Sequence, residues 1–173
     1  IYGERDLVLK GSPEVLKKHV IDMAENVLES LVLAYINPDI REEDKDPEGL
    51  ITVLSEKFGA GFREIVEKNM DDMGALLEAL EKKVGELLNL REQEFGPERM
   101  QYLVRYILLQ VIDTKWKEHL YGLDNLREGI GLRAYGQRDP LVEYKREAFD
   151  MFEQMSDAVK EEAVELLFRV QQV

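Results

Sequence analysis

Two runs of apolar residues on either side of a glycine-bearing gap restrict this chain more than any other feature. Leu109, Ile112, Trp116, Leu120, Leu123, Leu126 and Ile130 follow one another at steps of three or four, which puts them on one stripe of a helix with about 3.6 residues per turn. Ala148, Phe152, Met155, Val159, Ala163, Leu166 and Val170 keep the same spacing downstream. Gly129, Gly131 and Gly136, with Pro140 just beyond, crowd the interval and mark it as a turn. Two amphipathic helices joined this way fold back as an antiparallel pair, each burying its stripe against the other. The expectation is an all-α chain built on a long antiparallel helical hairpin, with a small helical unit inserted before it.

The rest of the chain fits that frame. Gly11 follows Ile1 to Lys10 as a residue suited to the left-handed position past a helix end. Ser12 and Pro13 then open a helix whose inward face reads Val15, His19, Met23, Val27, Leu31 and Ala34 or Tyr35, until Asn37 and Pro38 stop it. Residues 39–49, DIREEDKDPEG, read as an exposed, charged loop. Short helices broken by glycines fill 50–70, and Met73 to Asn89 reads as a longer helix with Leu76, Leu77, Leu80, Val84 and Leu87 or Leu88 inward. Phe95, Gly96 and Pro97 separate this middle from the hairpin. Ile1 in place of an initiator Met suggests a piece of something longer.

Charge and composition narrow the functions. The formal charge of −13 argues against general binding to nucleic acid or anionic lipid, since both require a positive surface. The charge is uneven, with −2 over 1–36, −8 over 37–97 and −3 over 98–173. Around the turn the sign reverses, because Arg127, Arg133, Arg138, Lys145 and Arg146 outnumber Glu128, Asp139 and Glu143. No apolar run approaches the roughly 20 residues that span a bilayer, and the lack of Cys excludes disulfides and thiolate metal sites and fits a reducing, cytoplasmic setting.

Catalytic chemistry finds little support. Neither glycine-rich phosphate-binding pattern occurs, so no nucleotide site is expected within this chain. His19 and His119 lie far apart and form no ligand pair, so no metal site is expected. Glu118 beside His119 invites a hydrolase reading, but Lys117, Glu118 and His119 read better as the polar side of a helix whose other side carries Trp116 and Leu120. No catalytic residue is therefore assigned. Trp116, Leu120 and Phe152 are expected to pack the hairpin, with Trp116 as its aromatic anchor.

The turn is the strongest functional candidate. Leu132 and Tyr135 stand among Arg133, Ala134, Gly136, Gln137 and Arg138, where a plain solvated turn would be polar throughout. Tyr offers a broad face and a hydroxyl able to hold varied polypeptide without reading its sequence, and the arginines favour carboxylate or carbonyl partners.

At these residues the chain resembles the SecA family of ATP-driven bacterial protein-export motors. WKEHLYGLDNLREGIGLRAYGQRDPLVEYKREAFDMFEQM is similar to the two-helix finger of the family's helical scaffold domain, including the LR-x-Y-x-Q-x-DP tip and the EYKRE that begins the return helix. The resemblance implies that 1–11 is the end of a long scaffold helix, 12–95 the helical wing domain, and 96–173 the scaffold with its finger. The wing likeness rests on the YINP at 35–38 and the PEGL at 47–50. In the family, nucleotide-binding domains outside this stretch use ATP and magnesium, and the finger enters the cytoplasmic mouth of the SecYEG channel. The tip, Leu132 to Arg138 here, contacts the unfolded preprotein through the tyrosine that matches Tyr135. The resemblance further implies regulation of the motor's ATPase by the finger, contact with nucleotide-binding domains of the same polypeptide, a homodimer of the parent protein, and a cytoplasmic protein peripherally associated with the inner face of the cell membrane. A different reading is a free-standing helical adaptor without a motor, to be separated by looking for motor domains upstream in the reading frame.

Overall fold

A computed structural model describes residues 1–133 and 139–170 of the chain, excepting the Arg133 side chain. Among the described residues every regular element is helical: α1 Tyr2–Lys10, α2 Pro13–Ile36, α3 Pro47–Phe58, α4 Arg63–Lys68, α5 Met73–Phe95, α6 Pro97–Arg133 and α7 Pro140–Arg169. A single 3-10 turn, Glu42–Asp44, lies in the charged loop.

The helix starts follow local chemistry. Proline occupies the first position of α2, α3, α6 and α7, where its missing N–H leaves no bond unmade and its φ is already helical. Side chains cap four starts. Ser12 Oγ accepts from the Val15 N–H at 3.3 Å, Asp46 Oδ1 from Gly49 at 2.9 Å, Asp72 Oδ1 from Ala75 at 3.1 Å, and Asp139 Oδ1 from Leu141 at 3.0 Å. Two breaks rest on glycine in the left-handed half of conformational space, Gly59 at φ 112° between α3 and α4 and Gly96 at φ 80° between α5 and α6.

Packing joins the segments. One core cluster takes Val8 from α1, Leu28 from α2, Leu54 from α3, Val66 from α4, Leu80 from α5, Leu108 and Ile112 from α6, and Val159 and Leu167 from α7. The base of the hairpin therefore shares its hydrophobic core with the helices of 12–95. Polar ties hold the hairpin base to α1, to the α1–α2 corner and to α5. Arg105 Nη2 donates to the Gly11 carbonyl at 2.8 Å, Arg5 Nε to Asp113 Oδ1 at 2.9 Å, and the Arg91 guanidinium to the main-chain oxygens of Phe168 and Val170.

Several expectations are corrected. Gly11 is extended, at φ −64° and ψ 146°. Its role is steric, because a Cβ there would stand 2.5 Å from the Leu7 carbonyl oxygen. Val15 is exposed, and α2 buries Leu16 and Val20 instead, since α2 is covered from several directions by α3, α5, α6 and α7. Residues 47–49 belong to α3, and α5 continues past Asn89 to Phe95. On α7, Leu166 is exposed while Val164, Leu167 and Phe168 are buried, because α2 and α3 enclose that end as well as α6. Gly129 and Gly131 lie inside α6, which runs on to Arg133. Single glycines weaken a helix by only about 1 kcal/mol each, less than the pairing of a long hairpin supplies.

Candidate functional site

The candidate site is the outer half of the α6–α7 hairpin. α6 is 37 residues long, about 55 Å at 1.5 Å per residue. The antiparallel register is visible in three cross-helix neighbours. Lys115 Nζ pairs with Glu162 Oε2 at 3.0 Å, the His119 and Phe152 ring centroids lie 5.8 Å apart, and a Cβ on Gly122 would come within 2.6 Å of the Met151 methyl. As one number rises the other falls. The shared core ends at Ile112 on α6 and Val159 on α7. Beyond it the two helices continue as a projection whose buried side chains are His119, Leu126 and Met155.

The seam differs from the expected stripe at one turn. His119 is 7% exposed and Leu120 is 44% exposed, so Leu120 is not a seam residue. The positions 112, 116, 119, 123, 126 and 130 step by four and three in alternation, which is the repeat that keeps one seam facing a partner helix. An apolar-only reading steps over the histidine and picks the adjacent leucine. Trp116 is partly buried, its ring 5.4 Å from His119 and edge-on to Tyr2 at 5.9 Å. Phe152 is partly exposed, yet its ring lies edge-on against His119. Glu118 is turned away, its side chain 62% exposed and 3.4 Å from Lys115 Nζ. Glu118 and His119 therefore do not converge on a common reacting point, and burial lowers the His119 pKa from its ordinary value.

The surface of the projection is unusual in its apolar exposure. Leu120, Tyr121, Leu132, Leu141, Val142, Phe149 and Phe152 are all exposed, seven of the sixteen exposed large hydrophobics among the described residues. Leu132, on the last turn of α6, is 76% exposed. Arg127 on α6 and Lys145 on α7 are exposed as well, while Arg146 Nη2 donates to Glu143 Oε2 at 2.7 Å. Asp139 and Pro140 restart the chain as the cap and first residue of α7. Of the expected tip residues, Leu132 is thus placed at the outer end of the hairpin. Ala134, Tyr135, Gly136, Gln137, Arg138 and the Arg133 side chain lie outside the described residues.

Elsewhere, an apolar groove of about 130 Å³ opens between α2, α5 and α6, floored by Leu16, Val20, Leu88 and Met100 and rimmed by Lys17 and Glu92. Among the described residues no group of three or more His, Asp or Glu could hold a metal, and no helix is long and apolar enough to cross a membrane.

Comparison with known proteins bears on the whole length. The chain is 40% identical over 178 residues to Protein translocase subunit SecA 1 of Thermobifida fusca, an alignment covering 99% of this chain and 18% of that protein. It is 40% identical over 172 residues to Protein translocase subunit SecA of Syntrophobacter fumaroxidans, and 44% identical over 185 residues to Protein translocase subunit SecA 1 of Mycolicibacterium paratuberculosis. These alignments cover 99% and 98% of this chain, and 20% and 19% of those proteins. The chain thus spans about a fifth of the length of the relatives it matches. The family model described as SecA Wing and Scaffold domain matches residues 1–171, and the chain belongs to that family.

Proposed function

We propose that this chain is the wing and scaffold portion of a protein-export ATPase, and that the α6–α7 hairpin holds out a tip that grips a translocating polypeptide at the mouth of a SecYEG channel. The observation that carries this reading is the projection itself, a two-helix arm that leaves the shared core and exposes Leu132, Leu141 and Val142 near its outer end and Phe149 midway along it. Such surface suits a partner of varied sequence, because apolar area and main-chain hydrogen bonding need no particular side chain opposite. The arm is also stiff enough for the task, since paired helices are ordered by their seam where a lone helix in water is marginal.

In this reading ATP and magnesium are handled by nucleotide-binding domains outside the 173 residues, and this chain supplies positioning and regulation. Tyr135 is the residue assigned to the preprotein, with Leu132, Arg133 and Arg138 shaping the channel-facing loop. The parent protein works in the cytoplasm, peripherally at the inner face of the membrane. The test places Tyr135→Ala and Tyr135→Asp in the full-length motor. Preprotein transport is expected to fall at least tenfold while basal ATP hydrolysis persists, and normal transport by both variants contradicts the assignment.

A further inference from the structure

A continuous series of ring contacts crosses three helices at the root of the projection. Tyr2 on α1 meets Trp116 on α6 edge-on, with centroids 5.9 Å apart and planes at 71°. Trp116 lies 5.4 Å from His119, one turn along the same helix. His119 in turn meets Phe152 on α7 edge-on, at 5.8 Å and 71°. The series sits just beyond Ile112 and Val159, where the common core ends and the two-helix arm begins. His119 is the one polar or charged side chain that is buried among the described residues.

The location gives the rings a mechanical consequence. α1 reaches the hairpin at this level through Tyr2, and one turn nearer the core through Arg5 with Asp113. Tyr2 is 73% exposed overall, and the ring it meets on the hairpin is Trp116. Edge-to-face ring pairs are directional, favouring one relative angle over a range of near alternatives. A shift of α1 is therefore passed to Trp116, then to His119, then to α7. The flat imidazole is central, because it is tilted 33° to the indole of its own helix and stands at 71° to the phenyl of the next.

We propose that Tyr2, Trp116, His119 and Phe152 form a joint through which the position of α1 sets the orientation of the outer half of α7, with His119 as the positioning residue that bridges the two hairpin helices. The proposal concerns coupling within the chain and stands apart from what the tip touches, so it survives or fails independently of the export reading.

The test is hydrogen exchange by mass spectrometry on the 173-residue chain, comparing Tyr2→Ala, His119→Ala, the double variant, Tyr2→Phe and His119→Phe. Tyr2→Ala is expected to speed exchange roughly three- to tenfold in α7 residues 146–156, which lie on a different helix from Tyr2, and to leave 160–168 unchanged. His119→Ala is expected to do the same, the double variant to add little to either single change, and both Phe variants to restore protection. Unaltered exchange over 146–156 in Tyr2→Ala overturns the joint, even where His119→Ala is too unstable to measure. So does full additivity of the two alanine changes, which describes two separate packing defects.

Discussion

Arg105, halfway along the inner part of α6, donates from Nη2 to the main-chain oxygen of Gly11 at 2.8 Å. The bond spans 94 positions of sequence and holds the corner between α1 and α2 against the first helix of the hairpin. A hydrogen bond from a charged group to a partly buried carbonyl contributes about 1.5–3 kcal/mol. Arg105→Met keeps most of the aliphatic stem and deletes the donor, so it is expected to lower stability by about that amount. Urea unfolding checks this through a lowered midpoint at unchanged slope.

The same corner gives a second prediction. Gly11 has ordinary extended dihedrals, but a Cβ there would lie 2.5 Å from the Leu7 carbonyl oxygen. Gly11→Ala must push the end of α1 away from the start of α2, and overpacking of this kind costs about 1–3 kcal/mol. The loss should appear in the same urea midpoint. A stabilised variant would mean that the contact is not rigid.

A shared core predicts shared unfolding. Leu80 on α5 and Val159 on α7 are both buried in the single cluster that joins 12–95 to the hairpin base. Leu80→Ala is expected to cost about 2–5 kcal/mol. It should weaken protection at the base of α7 as well as on α5. Calorimetry should show one cooperative transition rather than two.

Acid should act in two stages. Burial holds the His119 pKa below its ordinary 6.5, so as pH falls the unfolded chain takes up that proton first. Stability is unaffected well above pH 6.5, declines below it, and stops declining on this account once folded His119 is itself protonated. Glu4 adds a lower window. The His19 ring, whose Nε2 lies 3.3 Å from Glu4 Oε1, holds the carboxyl below its ordinary 4.5 against the opposing effect of burial. That contribution is present above pH 4.5 and is lost as pH falls through the lowered value. His119→Phe should abolish the first stage and keep the second, as read from urea midpoints followed from pH 8 down to about pH 2.5.

Much of the fold was legible because its signals are local. Ser12 with Pro13, and Gly96 with Pro97, mark helix boundaries by what their own backbones can do, and the boundaries fall there. The apolar repeats of α6 and α7 likewise predict the antiparallel pair. What sequence alone misplaced depends on neighbours. Val15 and Leu166 are apolar residues left outside because α2 and α7 are surrounded on more than one side, which turns the buried face away from a simple stripe. His119 is the reverse case, a polar residue drawn into the seam by its position in the four–three repeat and by the rings of Trp116 and Phe152 beside it. Gly129 and Gly131 read as turn residues but are carried inside α6 by its pairing with α7. The exposure of Leu132 at the arm's outer end agrees with its reading as a tip residue, whereas Tyr135 was singled out from composition and family likeness alone.

The central claim, that the hairpin tip meets the transported polypeptide, is tested most directly by placing a photo-crosslinking residue at position 135 of the full-length motor. Position 86, exposed on α5, serves as the control. The account predicts crosslinks from 135 to a preprotein stalled in transit, and few or none from 86. Crosslinking from 86 that equals or exceeds that from 135 would contradict it.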